Sequence, residues 1–121
     1  MAPQVLVVLL QHLHNMTIRW ITPAGSLSTV VERVSLSIPL EATSNVGAIT
    51  FSVISGRLPR GVRLDTVVSS DSSIQTVLIK GSPTEVRKFT TNRFVIRAND
   101  GVDIEDRTFS IISATQVQFR S

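Results

Sequence analysis

The sequence predicts an all-β chain, a single antiparallel β-sandwich built from five or six short strands. Three observations carry this expectation. Val, Ile and Thr supply 39 of the 121 residues and Ser another 15, while Ala, Glu, Lys and Met are few, a composition suited to pleated, half-buried strands. Turn signals recur about every ten residues after Met16, and no helical period survives beyond that point. Between the turns, apolar and polar residues alternate, which is the period of a strand with one buried face. A length of 121 residues suits one domain with its own core.

The first fifteen residues, "MAPQVLVVLLQHLHN", stand apart as an apolar arm. Val5, Leu6, Leu9, Leu10 and Leu13 make one helical face, yet the same residues read equally well as an apolar strand. The longest uninterrupted apolar run, Val5 to Leu10, is far shorter than the roughly 20 residues of a spanning helix. No Lys or Arg precedes it and no convincing small-residue cleavage site follows, which argues against a signal peptide. These apolar side chains exceed what a small sandwich needs, so the five residues are the expected partner-binding set.

Residues 16 to 121 are expected to form the sandwich. Val34, Leu36, Ile38, Leu40 and Ala42 fall on one face of a strand, and Pro39, which has no amide hydrogen, places that strand at a sheet edge or at a bulge. Ile49, Phe51 and Val53 repeat the alternation. "RLPRGVRLD" reads as a turn with Pro59 second and Gly61 fourth. After a polar loop from Asp65 to Ser73, "IQTVLIKG" is nearly continuous in apolar residues and suggests a strand covered on both sides. Phe94, Ile96 and Ala98, then the turn "NDG", then Phe109 and Ile111 read as a hairpin.

The order "AITFSVISGRLPRGVRL", "LIKGSPTEV", "FVIRANDGVDIEDRTFSI" resembles the immunoglobulin-like modules related to the cadherin-like domain of dystroglycan. Leu58 to Val62, Gly81 to Thr84 and Ala98 to Gly101 stand at that pattern's Leu-Pro-x-Gly, Gly-x-Pro and Ala-x-Asp-Gly positions. The opening "WITPAGSLSTVVER" and the close "RANDGVDIEDRTFSI" are similar to modules found in tandem in structural proteins of tailed bacteriophages, cyanophages especially. This chain holds a single module, and its middle loop is longer than the usual link. The resemblance implies an immunoglobulin-like sandwich and a virion subunit, either a head decoration (cement) protein or a tail-attached accessory. Its expected partners are a major capsid or tail protein and copies of itself in a homo-oligomer.

Composition narrows the chemistry. There is no cysteine, hence no disulfide, thiolate nucleophile or thiolate zinc site. Ten of the twelve basic residues are arginine, spread along the chain rather than gathered into a nucleic-acid stripe. No Gly-x-Ser-x-Gly elbow occurs and neither histidine lies beyond His14, so a Ser-His triad has little to build on. His12 and His14 share one side of a strand but have no third ligand nearby. Asp100, Asp103, Glu105 and Asp106 are the calcium candidates, although "DGVDIED" departs from an EF-hand loop and the acidic motifs that complete cadherin sites are missing. The alternative role for these acids is to shape the turn or pair with Arg93, Arg97 and Arg107. Arg57, Arg60 and Arg63 gather around the Pro59 turn and could bind a phosphate or an acidic partner surface, although such a tip is more often a solvated loop, whereas Trp20 is expected in the core. The expectation is therefore a non-enzymatic protein without cofactor, nucleic-acid or membrane partner. The alternative is a carbohydrate-directed adhesion or receptor-binding module, with or without calcium.

Overall fold

Eight strands carry the chain in the computed structural model, which describes residues 17–67, 74–84, 86 and 88–115. They are β1 (Ile18–Trp20), β2 (Gly25–Val31), β3 (Leu36–Ser44), β4 (Thr50–Gly56), β5 (Val62–Val67), β6 (Ile74–Gly81), β7 (Thr90–Asn99) and β8 (Ile104–Ala114). One sheet has the order β1-β3-β6-β5 and the other β2-β8-β7-β4. The arm at 1–15, with Val5, Leu6, Leu9, Leu10 and Leu13, lies outside the described residues.

The expected alternation packs the two sheets face to face. Leu40, Ala42, Val77 and Ile79 from the first sheet meet Phe94, Ile96, Ala98, Phe109 and Ile111 from the second, all essentially buried. Burying each large apolar side chain contributes on the order of 1.5–3 kcal/mol. Trp20 completes the core, with its ring 5.6 Å from Phe51 and 5.5 Å from Phe109 and its indole Nε1 donating to the Glu105 carbonyl at 3.0 Å. That bond satisfies the one polar atom of the ring, which lets it be buried.

Several details correct the reading of the sequence. β1, β2 and β5 are additional strands, too short or too polar on their exposed faces to announce themselves. β5 takes in Asp65 to Val67, which therefore belong to a strand and not to the middle loop. The sandwich is not wholly antiparallel, because β2 pairs with β8 in parallel. After Trp20 the chain crosses between sheets over four residues without reversing, so β2 keeps the direction of β1. β3 is flanked on both sides, yet β1 covers only Ala42 to Ser44, so Pro39 sits where that side of the strand has no ladder partner among the described residues. Val34 falls outside β3 and is exposed. β6 alternates instead of being covered on both faces: Val77 and Ile79 are buried, Leu78 is half-buried and Ile74 is exposed. The Pro59 turn closes one residue later than expected, from Val62 N to Pro59 O at 3.1 Å, so Gly61, at φ 89°, takes the third position.

Candidate functional site

The β7–β8 hairpin closes between Asn99 and Ile104, and its loop carries the first two acids. Asp100 accepts hydrogen bonds from the hydroxyls of Thr17 (2.5 Å) and Ser44 (2.6 Å) and from the amides of Val102 (2.9 Å) and Asp103 (2.8 Å). Burial alone pushes its carboxyl up, but the bonds from Ser44, Thr17, Asp103 and Val102 outweigh it and hold the group well below the usual carboxylate range. Asp103 Oδ2 accepts from the Thr17 amide at 3.1 Å, while its Oδ1 accepts from the Ile104 amide at 2.8 Å. Asp106 faces Arg97 in a two-pronged pair at 2.9 and 3.1 Å, which raises the Arg97 guanidinium above its ordinary value.

The four candidate acids are thus not brought together as one oxygen cage. Two bind the loop to β1 and β3, Asp106 serves a cross-strand ion pair, and Glu105 lends its carbonyl to Trp20. Among the described residues, no group of three or more His, Asp or Glu side chains is placed to hold a metal ion. Of the arginines expected to pair with them, Arg97 does so, whereas Arg107 donates to the Thr22 carbonyl at 2.8 Å. Thr17 and Ser44 are the partners that sequence reasoning missed, because a hydroxyl more than fifty residues away carries no local signal.

At the opposite end of the sandwich, the 57–61 crossover and the β6–β7 connection enclose an open groove of about 580 Å³. Val53, Leu58, Pro59 and Val62 give it apolar walls, and Arg57 and Arg60 stand at it. Arg63, the third arginine of the expected cluster, lies on β5 opposite Lys80 and does not line it. Ser113 lines the groove at 2% exposure, and its hydroxyl has no hydrogen-bond partner among the described residues. The sequence did hold a signal for this residue, since Phe109, Ile111 and Ser113 alternate onto one inward face.

No protein-family model matches the chain, and no curated protein sequence does. Solved structures do. The endo-fucoidan hydrolase MfFcnA4 of glycoside hydrolase family 107 superposes with a TM-score of 0.66 at 18% identity, over 89% of this chain and 15% of that one. The titin M3 domain superposes at 0.55 with 7% identity, over 82% of this chain and 98% of that one. A chimeric titin Z1Z2 structure gives 0.51 at 14% identity, over 84% and 97% of the two chains. The chain therefore has an immunoglobulin-like fold. It spans only about one seventh of the fucoidan hydrolases it resembles.

Proposed function

We propose that this chain is a non-enzymatic, immunoglobulin-like subunit of a bacteriophage virion that acts through protein–protein contacts, as a head decoration protein or a tail-attached accessory. The observation that carries the non-catalytic reading is the engagement of the carboxylates. Asp100 and Asp103 are occupied in fastening the hairpin loop to Thr17 and Ser44, and Asp106 is held by Arg97. A general base or nucleophile needs a lone pair free to face a substrate, and a general acid needs a carboxyl free to hold and give up a proton there. The virion assignment rests on the resemblance of the "WITPAGSLSTVVER" and "RANDGVDIEDRTFSI" stretches to phage structural modules. Quantitative mass spectrometry of density-purified particles tests it: the chain is expected at a fixed ratio to the major capsid or tail protein, and its absence from particles overturns the proposal.

A second reading, a carbohydrate-directed adhesion module, is favoured by one observation, the similarity in fold to a segment of fucoidan hydrolases. Binding to a sulfated fucan in a glycan array, by a chain absent from particles, would select this reading over the first.

A further inference from the structure

We infer that the groove beside Ser113 is a docking site for an acidic peptide segment carrying an apolar anchor residue. This inference rests on the reading that the chain works through protein contacts, and it names the surface and the chemistry of the partner.

Three independent observations converge on the groove. The first is an orphaned polar atom. Ser113 alternates inward with Phe109 and Ile111, and its buried hydroxyl has no partner among the described residues. A buried hydroxyl without a partner is costly, whereas alanine in its place would not be. Seated at a groove, the same hydroxyl can donate to a carbonyl brought by a ligand. The second is shape. The groove has the volume of a ligand pocket, and its wall is fixed in advance. The Arg57 carbonyl accepts from Asn92 Nδ2 at 3.3 Å, the Gly61 carbonyl from the Ser82 amide at 3.2 Å, and the Arg60 carbonyl from the Thr84 amide at 2.9 Å. These bonds tie the crossover to β7 on one side and to the β6–β7 connection on the other, so little ordering remains to be done on binding. The third is charge. Apolar walls accept an apolar side chain, while the exposed Arg57, in a chain of net charge +3, favours a carboxylate beside it. Beside the groove, β4 pairs among the described residues with β7 alone, and its other edge can take an extended backbone.

The test is a titration of the ¹⁵N-labelled chain, at low salt, with three capped peptides: Asp-Glu-Leu-Asp-Glu, the same peptide with serine for leucine, and Lys-Lys-Leu-Lys-Lys. The acidic leucine peptide is expected to shift the amide signals of Gly56, Gly61, Thr90 and Ser113 saturably. The serine peptide should bind at least fivefold more weakly and the basic peptide should leave those signals in place. Arg57→Glu, an exposed change, should weaken binding about tenfold with the remaining spectrum unaltered. Ser113→Ala should weaken binding about threefold while raising the melting temperature. The inference is overturned if the acidic leucine peptide causes no saturable shift there, if all three peptides bind alike, if inorganic phosphate alone reproduces the shifts, or if Ser113→Ala lowers the melting temperature. A chain found in purified particles whose groove takes no acidic peptide refutes this inference and leaves the proposed function standing.

Discussion

Asp100 shows how one side chain can decide whether a loop is chemistry or architecture. Its carboxylate gathers two hydroxyls and two amides from three parts of the chain, so removing it strands Thr17 and Ser44 as well as the turn. Net contributions of about 1.5–3 kcal/mol are usual for hydrogen bonds to a charged group, and the half-buried donors here can partly rehydrate. Asp100→Ala should therefore cost about 2–3 kcal/mol in urea denaturation. The pH dependence follows in sign from the depressed folded-state value. The stabilisation is fully present above the unfolded-state value near 3.8 and is lost as pH falls toward the lower folded-state one. Stability attributable to this residue should be level from pH 8 to about 5 and decline below about pH 4. Asp100→Asn should be less stable at pH 7 and lose less on acidification, and an Asp100→Asn chain that loses as much would contradict this account. Trp20 is the other residue with a large stake: Trp20→Ala should cost about 3–5 kcal/mol, as expected for a buried aromatic, and Trp20→Phe less.

The strands that the sequence made legible are those with large residues at most inward positions. β3, β4, β7 and β8 alternate cleanly because Leu40, Phe51, Phe94, Ile96, Phe109 and Ile111 each need the core. β1 is only three residues long, and β2 shows a single buried position, Val30, which leaves too little pattern to read. β5 has no fully buried residue, and Val62 and Leu64 only partly bury against the core, so its alternation is weak. The acidic loop was legible as a turn, but its fastening to Thr17 and Ser44 was not, since only the folded register brings them together. Glycines at 61 and 81 mark a close approach between elements. A Cβ on Gly81 would lie 2.2 Å from the Gly61 carbonyl oxygen, and one on Gly61 2.3 Å from that of Ser82. Backbone cannot yield as a side chain can, so Gly81→Ala should cost about 2 kcal/mol or more, and Gly61→Val more still. Gly101 has a similar left-handed φ of 92° but nothing within 4 Å, so Gly101→Ala should cost only the conformational strain, about 1 kcal/mol. Equal losses in Gly81→Ala and Gly101→Ala, compared by thermal melting, would show that the close approach does not matter.

Across the whole molecule, the segment from Thr17 to Val31 stitches the two sheets together. β1 lies in one sheet and β2 in the other, and the crossing between them is fixed by bonds from Ile21 and Thr22 amides to the Glu41 carbonyl, from the Glu41 amide to Thr22 Oγ1, and from Arg107 to the Thr22 carbonyl. All of these contacts begin after Met16. A chain started at Met16 keeps every one of them, and its new ammonium lies one residue from Thr17, whose amide and hydroxyl already meet the carboxylates of Asp103 and Asp100. Added positive charge beside those carboxylates is favourable, so the truncated chain should fold with a melting temperature within a few degrees of the full chain. On the proposed function, the apolar residues Val5, Leu6, Leu9, Leu10 and Leu13 would serve association rather than folding, each large side chain contributing on the order of 1.5 kcal/mol or more against a partner. Light scattering after size exclusion should find the truncated protein monomeric, and in particle-binding assays it should fail to assemble where the full chain does. A truncated chain that unfolds would place the arm in the core, and one that binds particles at full occupancy would place the partner contact elsewhere on the sandwich.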